Sequence, residues 1–138
     1  MRDYRLYLDD ILEAIQRIEE YTANMDFEDF AENRLVIDAV IRNLEIIGES
    51  CRALPEEIGE RYPDVEWRKI VGLRNILIYQ YFGVGVELVW DIVKNKLPEL
   101  EIKIKEMKKT GIDYNSLLIQ QRSLSRIWDI ESEDLYEL

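Results

Sequence analysis

The 138-residue sequence contains no histidine. That absence removes His-ligated metal sites, Ser/His/Asp triads and Cys/His dyads together, because each needs an imidazole as ligand or proton carrier. Cysteine is nearly absent as well: Cys51 stands alone and cannot staple the fold internally. A free cysteine ordinarily behaves as a small buried hydrophobe, and a chain without disulfides suits a reducing cytoplasm. Positive charge is scarce. Lys and Arg number 18 against 29 Asp and Glu, a net charge of −11. Phosphate binding needs clustered cations, so any contact with nucleic acid is confined to a local basic cleft. No apolar run approaches the length that crosses a bilayer. The first ten residues, MRDYRLYLDD, carry five charges and no apolar h-region, so the sequence predicts neither export nor membrane insertion. Strand-like alternation and internal repeats are missing. A carboxylate-only metal site survives these exclusions, but no spacing suggests one, and no metal or cofactor is expected.

What remains is helical. Hydrophobic residues make up 47% and charged residues 34%, a globular mix, and the length suits one domain with one core. Tyr4, Leu8, Ile11, Ile15 and Ile18 recur at four and three residues, predicting an amphipathic helix over about 3–22. Asp26 can cap a short turn carrying Phe27 and Phe30, a lid on the bundle. A second long helix is predicted over 34–54, with Val36, Val40, Leu44, Ile47, Cys51 and Leu54 inward. Gly48 inside it costs about 1 kcal/mol against alanine and implies close approach of a neighbour. Pro55 suits the start of a short helical turn. Asp64 is a natural N-cap for a third helix, which begins near Val65, carries Trp67, Ile70, Val71, Leu73, Leu77 and Ile78, and ends at Gly83 and Gly85. A fourth runs from about Glu87, with Val89, Trp90, Val93 and Leu97 inward. Pro98 kinks or restarts it, and the pattern resumes through Leu100, Ile104 and Met107 to Gly111. The expected architecture is an all-α up-and-down bundle over 1–110. Residues 111–138 read as an appended segment with apolar anchors at Leu117, Leu118, Leu124, Ile127 and Trp128; its last ten residues hold five acids and no base.

One stretch carries chemistry. Arg74-Asn75 is followed by Tyr79 and then by Tyr81-Phe82-Gly83-Val84. Flanking it are Arg2-Asp3-Tyr4 opening into Leu8-Asp9-Asp10-Ile11, the run from Ala39 to Glu49, and Trp67-Arg68-Lys69-Ile70-Val71-Gly72. Together these segments, over about residues 2–108, resemble the HepT-type HEPN ribonuclease toxins. That family's signature is an arginine, four residues, a histidine, one residue and a tyrosine, commonly followed by Phe-Gly-Val. The resemblance implies a HEPN-type helical bundle that forms a homodimer. It also implies metal-independent RNA cleavage at a cleft where two copies of the motif meet, and membership of a type VII toxin–antitoxin pair. Its partner there is an MNT-type nucleotidyltransferase antitoxin, which attaches AMP to the motif tyrosine, here Tyr81, and blocks the site.

In such a reaction the RNA 2′-hydroxyl attacks its own phosphate. The step needs a proton carrier with a pKa near 7 and a fixed positive charge for the developing phosphorane. Arg74 stands at the family's catalytic arginine, and Asn75 either orients the phosphate or caps locally. Tyr79 stands where the histidine belongs. With a pKa near 10, about 0.1% of a tyrosine is phenolate at pH 7, so weak or absent cleavage is expected. On a regular helix Arg74 and Tyr81 lie about 20° apart and Arg74 and Tyr79 about 140° apart. Arg42, Arg68 and Lys69 are candidates to line the RNA cleft, or else plain solvated charges. The acidic end is read either as solvated or as an anionic mimic of RNA over the Arg74 cleft. Two functions therefore compete: an impaired toxin endoribonuclease, and a non-catalytic dimer acting as scaffold for the nucleotidyltransferase. A plain helical dimerisation domain is the weaker third.

Overall fold

A computed structural model of the chain describes residues 3–73 and 85–110. Among the described residues, seven α-helices and one π-helical turn follow in order: α1 Tyr4–Thr22, α2 Phe27–Glu32, α3 Arg34–Arg52, α4 Glu56–Arg61, α5 Trp67–Val71, α6 Val86–Asp91, the π turn Ile92–Lys96, and α7 Leu97–Thr110. No strand occurs among the described residues, and the fold is the all-α bundle that the sequence predicts.

Local chemistry sets most of the boundaries. The Asp3 carboxylate accepts the Arg5 backbone N–H at 3.0 Å and starts α1. Asn24, at φ 64°, takes the left-handed turn between α1 and α2, a region that asparagine tolerates. Asp26 and Asp29 form a reciprocal capping box at α2, each carboxylate accepting the other's backbone N–H, at 2.8 and 3.2 Å. Asn33 Oδ1 accepts from Val36 N at 3.1 Å and starts α3. Pro55 sits at the N-cap of α4.

The buried stripe of α1 is Tyr4, Leu8, Ile11, Ala14, Ile15, Ile18 and Thr22. It packs chiefly against α3, which buries Ile37, Val40, Ile41, Leu44, Ile47 and Cys51. Val36, expected inside, is only partly buried, because Ile37 takes the core position at that turn. Cys51 is fully buried, and that burial pushes its thiol pKa up, leaving no thiolate at neutral pH. α2 does act as a lid. The Phe30 ring is buried and lies 5.0 Å from the ring of Trp90 on α6, with Phe27 edge-on to the same indole at 6.3 Å. No helix among the described residues is long and apolar enough to cross a membrane.

Two expectations are corrected. Asp64 does not cap the third helix. That helix starts at Trp67, where Glu66 occupies the N-cap position without a side-chain bond. The indole N–H of Trp67 donates to the Tyr62 carbonyl at 2.9 Å, and its backbone N–H bonds Val65 O at 2.8 Å. This local turn delays the helix, and the Asp64 carboxylate instead pairs with Lys103 of α7 at 2.7 Å. Nor is the helix continuous from Val65 onward. It stops at Val71, and Gly72 and Leu73 form a turn in which Leu73 N bonds back to Ile70 O at 3.1 Å. The expected continuation through Leu77 and Ile78 to Gly83 lies outside the described residues. Pro98 restarts its helix, one of the two outcomes the sequence allows. It lies in the first turn of α7, and the preceding turn is π-helical, with Leu97 N–H bonding Ile92 O five residues back. Proline has no N–H to give the carbonyl four residues earlier, and the wider turn accommodates that loss.

Gly48 has the close neighbour its position implies. A Cβ there would stand 3.2 Å from the Ile70 carbonyl oxygen of α5 and 3.5 Å from Leu73 Cβ. α3 and α5 touch backbone to side, which fixes where the chain leaves toward residue 74. Replacing Gly48 with leucine forces the two helices apart. The expected loss is about 1–3 kcal/mol, read as a lower denaturant midpoint; a variant as stable as the parent would refute the tight contact.

Candidate functional site

Arg74, Asn75, Tyr79 and Tyr81 lie outside the described residues; α5 and its neighbours form the frame that leads to them. α5 presents Arg68 and Lys69 on its exposed side and buries Trp67 and Val71. Leu73, 4% exposed, ends the described run and packs by Gly48. From this corner a groove of about 580 Å³ opens between α5 and the α6–α7 rod. Its floor is apolar: Val65, Ile70, Leu73, Ile92, Leu97 and Leu100. Charged groups ring the mouth. Lys69 Nζ lies 2.8 Å from Glu66 Oε2, Lys96 Nζ 3.3 Å from Glu66 Oε1, and Lys103 Nζ 2.7 Å from Asp64 Oδ2.

The structure therefore brings one candidate cation, Lys69, together with two that the sequence reading missed, Lys96 and Lys103. Their signal was present, since residues seven apart share a helix face, but the far wall that they border on was not legible. Arg68 lines a shallower hollow of about 350 Å³ with Gly59, Pro63, Trp67 and Lys69. Arg42 stands on another flank. On a regular helix it lies about 120° round α3 from Gly48, the residue that faces α5, and its guanidinium pairs with Glu45 at 3.1 Å.

The rim pairs hold their acids ionised. The hydrogen bond from Lys69 keeps the Glu66 carboxyl below its ordinary pKa, burial opposes this, and Lys96 adds to the lowering. The Lys103 hydrogen bond does the same for Asp64, and Asp64 in turn raises Lys103. A depressed carboxylate contributes its pairing above the ordinary range near pH 4 and loses it as pH falls through the lower folded value. Carboxyl NMR titration should find Asp64 below the ordinary aspartate midpoint, and Lys103→Met should move it back up. An Asp64 midpoint indifferent to that change would remove the pair. Among the described residues no three or more Cys, Asp or Glu side chains are grouped to hold a metal ion.

The description Ribonuclease HepT-like belongs to the family model that matches residues 11–107. The chain belongs to this family. Among its relatives is one named a probable ribonuclease HepT, from Thermococcus cleftensis. It is 42% identical over 108 residues, covering 78% of this chain and 98% of that protein. Another, provisionally named an RNase, comes from Methanocaldococcus jannaschii; it is 42% identical over 104 residues, 75% of this chain and 95% of its own length. A longer protein of the same organism, named a gamma-glutamylcyclotransferase as well as an RNase, is 38% identical over 136 residues, 91% of this chain and 61% of that protein. No solved structure matches the chain. The span matched to the HepT-like family contains every motif position from Arg74 to Val84.

Proposed function

We propose that this HepT-like chain is the endoribonuclease toxin of a toxin–antitoxin pair, impaired by tyrosine at position 79. The observation that carries the reading is Arg74-Asn75, Tyr79 and Tyr81-Phe82-Gly83-Val84 falling inside the matched family span. The chain works in the cytoplasm as a homodimer, with the motifs of two copies meeting at a cleft. There the 2′-oxygen of RNA forms a bond to the adjacent phosphorus and the bond to the 5′-oxygen breaks, leaving a cyclic phosphate and a 5′-hydroxyl. Arg74 stabilises the charge that builds on the phosphorane. Tyr79 donates a hydrogen bond but moves protons poorly at neutral pH. Arg68 and Lys69, exposed six and five residues before Arg74, attract the RNA backbone locally, as the net charge of −11 requires. Arg42 is the third candidate contact. No metal takes part. Tyr81 is the hydroxyl that an MNT-type nucleotidyltransferase antitoxin modifies with AMP.

The test is Tyr79→His, assayed on RNA with and without Arg74→Ala. The histidine form should cleave and the double variant should not; an inert histidine form would sink the nuclease reading. The missing histidine also favours a second function, a non-catalytic dimer kept as a scaffold for the nucleotidyltransferase. That reading expects stable co-purification with the partner and no cleavage by either form.

A further inference from the structure

We propose that the groove between α5 and the α6–α7 rod is a docking site for this chain's own C-terminal segment, residues 117–128. The groove's floor is apolar, and Leu88, 37% exposed, stands uncovered at its edge. The rim lysines are already engaged: Lys69 and Lys96 with Glu66, Lys103 with Asp64. On the α6–α7 wall, Asp91 accepts from Asn95 at 2.7 Å, and among the described residues no cation pairs with Asp91 or Glu99. Among the described residues, the charge left over on this wall is negative. An occupant that is apolar on one side and cationic on another fits it.

Residues 117–128 have that chemistry. Leu117, Leu124 and Trp128 follow one another at seven and four residues, with Leu118 and Ile127 beside them. This is the spacing by which one helical stripe enters an apolar groove. Arg122 and Arg126 are the segment's two charges, both positive and so opposite in sign to Asp91 and Glu99. The acids of the final residues fall outside this stretch and are not required. Reach is sufficient. α7 ends at Thr110, whose hydroxyl lies 3.2 Å from that of Tyr62. By helical rise Lys103 is about 10 Å and Leu97 about 20 Å back along the helix, and six extended residues span about 20 Å. A tethered segment also meets the groove at roughly millimolar effective concentration, an advantage that a second copy lacks.

The experiment uses the full chain with Leu88→Cys on the groove edge and Leu124→Cys in the segment, under mild oxidation. Cys51, 0% exposed, stays in place and does not compete. A control pair places the first cysteine at Leu35, 81% exposed on α3 and outside the groove. The proposal expects an intramolecular disulfide, seen by non-reducing electrophoresis and mass, forming at least about tenfold faster than in the control pair. Adding Arg122→Glu and Arg126→Glu should slow it severalfold. Crosslinks between chains would assign the groove to a second copy, and equal rates in both pairs, or no crosslink at Leu88, would remove the docking. None of these readouts depends on nuclease activity.

Discussion

Tyr79→His should raise RNA cleavage by about 10²–10⁴-fold, the usual contribution of a positioned acid–base group. The gain follows from pKa matching. Imidazole, near 6.5, is present in both protonation states at neutral pH, whereas the phenol is almost wholly protonated. The chain contains no other histidine to blur the result. The rate of the revertant should therefore follow a single new titration near neutrality, absent from the parent. Adding Arg74→Ala should return cleavage to background, because a proton carrier alone does not neutralise the phosphorane. The measurement is single-turnover cleavage of a labelled RNA across pH. A revertant rate indistinguishable from the parent would show that position 79 is not the catalytic defect.

Phe30→Ala should cost about 3–5 kcal/mol of folding stability, as for other fully buried aromatics. Phe30 is 0% exposed and stands 5.0 Å from the Trp90 ring, so truncation leaves a cavity between α2 and α6 and removes a ring contact. Trp90 also carries Lys94 over its face at 4.6 Å. Equilibrium denaturation, with indole fluorescence as one probe, gives the measurement; Phe30→Leu should lose much less. A cost below about 1 kcal/mol for the alanine variant would mean that α2 rests on the bundle without holding it.

Much of this architecture was legible beforehand because α1 and α3 are long and strongly periodic. Every expected stripe residue but Val36 is buried, and Ala14, Ile37 and Ile41 join the buried faces beside them. Gly48 was readable for the same reason: a glycine inside a long helix calls for a close neighbour, and Ile70 supplies it. The third helix was not readable. Its apolar residues suit one long helix, but an indole bond to the Tyr62 carbonyl and a turn at Gly72 and Leu73 confine α5 to five residues. Local turn bonds of that kind leave no periodic trace. Within the site, the motif from Arg74 to Val84 was visible only as a pattern of residue types. The groove was invisible because its walls come from chain segments some thirty residues apart, joined by Glu66 bridging Lys69 and Lys96.

The π turn ahead of Pro98 puts one surplus residue between two stretches of ordinary helix. The two stretches are thereby out of phase with a single continuous spiral, so the side facing α2 and the side facing α1 need not share a meridian. Trp90 can meet Phe30 on α2 while Lys108 pairs with Asp9 on α1, each at its own azimuth. Lengthening or shortening the chain before residue 92 would then rotate Trp90 while leaving the later half seated, which lets the two ends of this rod change independently.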